Sequence, residues 1–176
     1  MPDVVFRTAD ASDVAQLQPF VHAGYRGDSA RLGWTHEADL LDGERIDQDS
    51  LRALLADPAQ RVILAERDRS LVGCVQIADK GSGLAYLGML TVAPALQGRG
   101  LGRRLIDKAE QMARQAFRAA RMEMTVIAQR SELIAWYERR GYARTGETRP
   151  FPITDPRFGS PRRSDLAFTV LEKPLV

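Results

Sequence analysis

Short apolar stretches of this 176-residue chain either alternate with polar residues or run continuously, and both patterns predict β-strands. Turn residues between them indicate about seven strands, which are Val4–Thr8, Arg61–Glu66, Leu71–Ala78, Ala85–Val92, Met122–Ile127, Tyr142–Thr148 and Leu166–Leu171. Met122–Ile127 is apolar at four of its six positions, on both faces of the strand, which is typical of a central strand covered on both faces. The pattern therefore predicts a sheet with this strand in its interior.

Apolar residues that recur at helical spacing predict about four helices between these strands. Asp10 or Ser12 is expected to cap the first helix, and Asp49 or Ser50 is expected to begin the second, over Leu51–Ala56. The other two helices are predicted over Gly100–Phe117 and Glu132–Arg140. The resulting order, β-α-α-β-β-β-α-β-α-β-β, indicates the α/β class and a single domain over residues 1–176.

Two stretches have no clear period. Gly24–Arg45 mixes glycines with charged and aromatic residues, and Pro150–Arg163 is rich in proline. Because long loops in compact domains are usually functional, Pro150–Arg163 is expected either to cover a site as a lid or to tether two strands.

The segment Gln97–Arg103, here called the glycine loop, joins the strand Ala85–Val92 to the helix that follows it. Its glycines lack a Cβ, so backbone N–H groups can approach an anion closely. These N–H groups lie at the start of a helix, where unpaired donors and the positive end of the helix dipole favour the binding of phosphate. Arg99 and Arg103 add positive charge. The loop is therefore expected to bind a diphosphate.

Two common phosphate motifs do not fit this loop. A P-loop ends in Gly-Lys-Ser/Thr, whereas Arg103 and Arg104 follow the last glycine here. A dinucleotide fold needs the spacing G-x-G-x-x-G, and here it is G-x-G-x-G. The pattern Gln97-x-x-Gly100-x-Gly102, preceded by the strand end Leu90–Pro94, instead resembles the coenzyme A pyrophosphate motif of the GNAT superfamily of acetyl-CoA-dependent N-acetyltransferases.

A second segment resembles the same family. Ser131–Tyr142 reads as a helix that stops at Gly141, followed by an aromatic residue that begins a strand. In this family a tyrosine four residues before the glycine faces the coenzyme sulfur, and here that position is Tyr137. The asparagine that family members often carry seven residues before this tyrosine is replaced by Arg130, and Arg130 or Ser131 is expected to take over its contact with the coenzyme.

The resemblance implies a GNAT-like, mostly antiparallel mixed sheet, splayed between its fourth and fifth strands and flanked by the helices. It also implies that the chain binds acetyl-CoA and acetylates a primary amine, with a small-molecule amine as the expected acceptor. The residues that would bind the coenzyme are Leu90, Thr91, Val92, Gln97, Gly98, Arg99, Gly100, Leu101, Gly102, Arg103 and Arg130. Main-chain groups of Leu90 and Val92 would contact its thioester end and its pantetheine arm.

Acetyl transfer needs a proton for the leaving thiolate and a group that takes a proton from the amine. Tyr137 is the candidate acid, because a phenol within hydrogen-bond reach can protonate a thiolate. The strand Ala85–Val92 has no carboxylate, so Glu37 and Glu123 are the candidate bases. For Glu123 the favoured interpretation is a salt bridge to an arginine, and for Glu37 the alternative is an ordinary surface acid. His36 and water are further alternatives.

The acceptor is expected to contact Tyr25, Trp34, Glu37 and Arg45, which lie in the irregular stretch Gly24–Arg45. Aromatic rings with an acid suit a cationic amine. Arg26 or Arg45 would suit a carboxylate, and hence an acceptor similar to an amino acid. An alternative is that Tyr25 and Trp34 only fill the edge of the core.

Composition and charge make several classes of function less favoured. The net charge is +2 and the arginines are interspersed with acids, so nucleic-acid binding is the least favoured function. No apolar run is long enough to span a membrane, no signal peptide is evident, and a single cysteine, Cys74, suits a reducing compartment. We expect a cytoplasmic monomer or homodimer without a metal site, in which Cys74 is a buried structural thiol. Alternative functions are a catalytically weak acyl-CoA sensor, or acetylation of a protein lysine or N-terminus.

Overall fold

The structure is a computed structural model that describes residues 3–26, 41–42, 46–152 and 160–176. Within these ranges the strands are β1 (Val5–Thr8), β2 (Leu41–Asp42), β3 (Gln60–Arg67), β4 (Ser70–Asp79), β5 (Leu84–Val92), β6 (Arg121–Ile127), β7 (Ala143–Pro150), β8 (Ser160–Pro161) and β9 (Ala167–Pro174). The helices are α1 (Val14–Tyr25), α2 (Gln48–Ala56), α3 (Leu101–Phe117) and α4 (Ser131–Glu138).

Seven strands form one mixed sheet in the order β1-β3-β4-β5-β6-β9-β7. All neighbouring pairs in this sheet are antiparallel except β5 and β6, which are parallel. The strands β2 and β8 form a separate antiparallel pair. The predicted seven-stranded, mostly antiparallel sheet with four helices is therefore confirmed.

The parallel pair opens along its length. Residues Leu84–Tyr86 of β5 pair with Arg121–Glu123 of β6, and no later residue of β5 pairs with β6, although both strands continue. A hydrogen bond of 2.8 Å between Tyr86 Oη and Thr125 Oγ1 lies where the strands begin to separate. The predicted splay between the fourth and fifth strands of the main sheet is confirmed, and it leaves a cleft between β5 and β6.

Helices cover both faces of the sheet. In β3, Val62 and Leu64 pack in one apolar cluster with Leu17 of α1 and Leu51 of α2, whereas Ile63 and Ala65 belong to the cluster around α3. Successive strand residues point to opposite faces, so covering both faces requires a continuous apolar run. Cys74 is fully buried in the cluster of α1 and α2, which confirms the expectation of a buried thiol.

The boundaries of several elements differ from the predictions. The cap of α2 is Asp47 rather than Asp49 or Ser50, because the Asp47 carboxylate accepts a hydrogen bond of 2.7 Å from the Ser50 backbone N–H. The predicted irregular stretches contain β2 and β8, which pair with each other. Such a pair depends on a contact between distant segments, which local periodicity does not report. No helix in the described ranges has both the length and the apolarity that a membrane crossing requires.

Candidate active site

The end of β5 is irregular, and this irregularity shapes the cleft. Cys74 of β4 pairs with Thr91 and Gln76 pairs with Gly88, so Met89 and Leu90 together face the single residue between those partners. Met89 has a φ of +54°, in the left-handed region. An extra residue with this conformation is a β-bulge, which bends the strand and redirects its side chains. Leu90 consequently lines the cleft.

The helix α1 holds the bulged strand from one side. The Tyr25 hydroxyl donates a hydrogen bond to the Leu90 carbonyl oxygen. One residue earlier, a Cβ added at Gly24 would lie 2.3 Å from the Thr91 methyl carbon. Only glycine allows α1 to approach β5 this closely, because every other residue would place a carbon inside the Thr91 side chain. Gly24 and Tyr25 together position the end of β5.

The glycine loop leaves β5 through a short 3₁₀ turn, Pro94–Leu96. The Gln97 side-chain amide donates to the Val92 carbonyl oxygen at 3.3 Å, which ties the loop to the strand. Gly98 and Gly100 have φ values of +77° and +83°. An added Cβ at either position would meet no protein atom within 4 Å, so within the protein itself it is the left-handed backbone that favours these glycines.

The helix α3 begins at the end of this loop with free donors. Gly100 is its N-cap, and no side chain of the described residues caps the helix. The N–H groups of Leu101, Gly102 and Arg103 belong to the first turn, where an α-helix has no internal acceptors. Together with the helix dipole and the Arg103 guanidinium, they form a site suited to phosphate oxygens.

A cavity of about 220 Å³, here called the loop cavity, contains most of the residues that the sequence predicted for the coenzyme. These are Leu90, Thr91, Val92, Gln97, Gly98, Gly100, Leu101, Gly102, Arg103 and Arg130. Arg99 is exposed and does not line the cavity, so the geometry gives no support for its predicted contact. The local motif and the strand before it therefore lie in one concave site.

The sequence did not predict three residues that line the loop cavity. Leu133, Trp136 and Arg140 line the loop cavity from α4 and the turn after it. The Arg140 guanidinium stacks 3.5 Å above the Trp136 ring, and the same ring lies 3.3 Å from the position of a Cβ at Gly102. Leu133, Trp136, Tyr137 and Arg140 follow helical spacing. This spacing could have identified them from the sequence, because it places all four residues on one side of the helix, together with Tyr137.

Tyr137 lies where two cavities meet. Its side chain is buried, its ring is edge-on to Trp136 at 5.1 Å between centroids, and its burial raises the pKa of the phenol far above the ordinary value. The second cavity, here called the cleft cavity, lies between the diverging strands and has a volume of about 170 Å³. Tyr25, Leu90, Arg130, Leu133 and Tyr137 line both cavities. The phenol therefore remains protonated at this junction over the ordinary pH range.

Of the two candidate bases, only Glu123 lies within the described residues. The Glu123 carboxylate is buried and accepts a hydrogen bond of 2.8 Å from Arg149 on β7, and it lines neither cavity. The salt-bridge alternative for Glu123 agrees with this geometry. Glu37 lies outside the described residues, as do Trp34 and Arg45. Of the predicted acceptor contacts, Tyr25 lies at the cleft cavity.

Comparison with known proteins identifies the motif. A family model described as an acetyltransferase (GNAT) domain matches residues 35–151 of this chain. A protein of Azospirillum brasilense named IAA acetyltransferase is 35% identical over 98 residues, which are 55% of this chain and 63% of that protein. The match thus spans less than two thirds of that relative.

Solved structures share the architecture. A chimera of Vibrio cholerae SpeG and hSSAT, described as a spermidine N-acetyltransferase, has a TM-score of 0.69 at 16% identity, covering 98% of this chain and 95% of that chain. YncA from Salmonella typhimurium, solved with its cofactor acetyl-CoA, has a TM-score of 0.68 at 22% identity, covering 99% of this chain and 95% of that chain. At these identities the similarity establishes the fold alone.

The close approach of α1 to β5 predicts that Thr91→Ser suppresses the loss of stability caused by Gly24→Ala. We expect Gly24→Ala to lower the free energy of unfolding by about 1–3 kcal/mol, because its Cβ overlaps the Thr91 methyl group. Thr91→Ser removes that methyl and keeps the hydroxyl, so adding Gly24→Ala to Thr91→Ser is expected to cost less than about 0.5 kcal/mol further. Urea unfolding of all four proteins measures the coupling, and additive costs would contradict this packing.

Proposed function

Because this chain belongs to the GNAT acetyltransferase family, we propose that it is an N-acetyltransferase that moves the acetyl group of acetyl-CoA to the primary amine of a small molecule. The observation that carries the proposal is the junction of the two cavities. The uncapped N-terminus of α3, which suits phosphate, lies at the loop cavity. The cleft cavity lies between the splayed strands, and Tyr137 and Leu90 line both cavities. A donor and an acceptor bound in these cavities would meet beside a buried phenol.

The described residues fit coenzyme A. The uncapped first turn of α3 and Arg103 would hold its pyrophosphate, and the Arg140 guanidinium stacked on Trp136 adds a second cation to the same cavity. Tyr25 fixes the Leu90 carbonyl and Gln97 fixes that of Val92, so the strand end facing the pantetheine arm is held in place. When bound, acetyl-CoA supplies an acetyl group activated as a thioester.

The reaction breaks a C–S bond and forms a C–N bond. The leaving sulfur takes up one proton, and an amine that arrives protonated gives up two: one to a base before attack, and one that returns to the group that protonated the sulfur. We assign the proton that the sulfur takes up to the Tyr137 hydroxyl. Because burial raises the pKa of Tyr137, the phenol keeps its proton at neutral pH and acts as a hydrogen-bond donor to the leaving sulfur. We assign the proton that the amine loses before attack to Glu37, since the Glu123 carboxylate is held by Arg149.

A second candidate function follows from the same cleft. The described residues that line the cleft cavity include no aspartate or glutamate, as expected for a protein that binds acyl-CoA and catalyses little. The two functions differ in one observable. Both predict binding of acetyl-CoA, but only an enzyme releases coenzyme A at an increased rate when an amine is added.

Replacement of Gly100 tests the binding of acetyl-CoA. Gly100→Ala places a Cβ on a residue with φ of +83°, which costs about 1–2 kcal/mol and shifts the first turn of α3. We expect its affinity for acetyl-CoA to fall about tenfold in calorimetric titration. Gly81→Ala is the matched control, because Gly81 has a φ of +79° and equally open surroundings in the turn before β5. Equal affinities for wild type and Gly100→Ala would refute the assigned cofactor site.

Removal of the Tyr137 hydroxyl tests the acid. Tyr137→Phe keeps the packed ring and is expected to lower kcat about 100-fold, with the dissociation constant of acetyl-CoA unchanged within about threefold. The control is Tyr142→Phe, because Tyr142 lies 6.0 Å away between ring centroids and its hydroxyl donates to Glu110. Turnover by Tyr137→Phe at the wild-type rate would remove Tyr137 from the mechanism.

The pH dependence of Glu37→Gln tests the base. We expect kcat/KM to fall about 100-fold at pH 7, where the amine is protonated and needs a base. The deficit should shrink toward pH 10, because a lysine-like amine with a pKa of about 10.4 then loses its proton to water. Glu123→Gln serves as the control and should alter stability rather than this profile, since it leaves Arg149 without its buried partner. A Glu37→Gln profile parallel to that of wild type would exclude Glu37.

A further inference from the structure

The cleft cavity is lined by apolar residues and by two arginines. Most of the residues that line it are methionine, aliphatic or aromatic, among them Met89, Met124, Val126, Ile127, Phe151 and Phe168. Such a surface binds the apolar part of a small molecule. Its volume of about 170 Å³ is smaller than typical drug-sized pockets, which favours a compact acceptor over a folded segment of protein.

Two arginine residues line the same cavity. Arg26, directly after α1, is only 3% exposed, and Arg130 lies at the N-terminus of α4 with its guanidinium 5.8 Å from the centre of the Tyr25 ring. Arginine remains charged at every accessible pH and presents five N–H donors, so it can bind a carboxylate in addition to its other partners.

These observations identify the acceptor class. Resting on the proposed N-acetyltransferase activity, we propose that the acceptor is an α-amino acid with an apolar side chain, whose carboxylate is bound by Arg26 and Arg130. Arg130 lines both cavities, as Tyr137 does. Because the α-amine and the carboxylate share one carbon, a carboxylate held at Arg130 places the amine at the junction of the cavities. The side chain then extends along the apolar wall.

A matched pair of ligands isolates the carboxylate. L-Leucine and 3-methylbutylamine share the side chain and the amine and differ only in the carboxylate. We expect L-leucine to bind wild-type protein about 10- to 100-fold more tightly, as charge-assisted hydrogen bonds imply. Chemical-shift titration without acetyl-CoA measures both dissociation constants. With acetyl-CoA present, the same ratio is expected in kcat/KM.

Variants assign the effect to the two arginines. Arg26→Gln and Arg130→Gln are each expected to reduce the leucine preference at least fivefold while leaving the affinity for 3-methylbutylamine within about threefold. Arg114→Gln, at an exposed position of α3, should keep the full preference. Since the wild-type comparison needs no variant, the proposal stays testable if Arg26→Gln, which alters a buried residue, does not fold.

The outcomes separate this proposal from the proposed function. Equal or weaker binding of L-leucine than of 3-methylbutylamine, or a preference for spermidine, would overturn the amino-acid proposal and leave the acetyltransferase activity intact. Failure to bind acetyl-CoA would instead overturn the proposed function, and the leucine comparison would still be decided, because it is measured without acetyl-CoA. A leucine preference that both arginine variants reduce would support the proposal.

Discussion

The loss of pairing between β5 and β6 is the constraint on which the site depends. Beyond Tyr86 and Glu123 the two strands share no backbone hydrogen bonds, and the edges that face each other are released from the sheet. Open edges in a sheet interior need other partners or space for a ligand. The bulge at Met89 and Leu90 and both cavities are found along this opening. The proposed reaction site therefore lies where the pairing of β5 with β6 ends.

Neighbouring elements hold this gap in its shape. The hydrogen bond between Tyr86 and Thr125 closes its base, and the Tyr25 hydroxyl holds the Leu90 carbonyl near its open end. Gly24 allows α1 to lie against Thr91. On the β6 side, the ion pair of Glu123 with Arg149 joins β6 to β7, which is not its neighbour in the sheet. These contacts come from α1, β6 and β7, so the cleft is supported by much of the fold.

The distribution of charge in the two cavities is consistent with their proposed roles. The loop cavity places a helix N-terminus, Arg103 and Arg140 where a pyrophosphate would lie. The cleft cavity combines Arg26 and Arg130 with an apolar wall and a phenol. Burial keeps that phenol neutral, so Tyr137 can donate a hydrogen bond where the cavities meet. Arginines thus line both cavities, in agreement with a proposed donor and a proposed acceptor that both carry anionic groups.

The sequence by itself determined the features that depend on local periodicity. The apolar runs identified the strands of the main sheet, and the spacing of Gly98, Gly100 and Gly102 identified the loop that opens α3, because turn geometry and helix ends are set by adjacent residues. Tyr137 followed from the motif around it. Only the tertiary structure placed Trp136 and Arg140 beside the glycine loop and joined Glu123 to Arg149. These contacts join segments far apart in the chain, and their existence depends on strand order and packing, which periodicity does not encode.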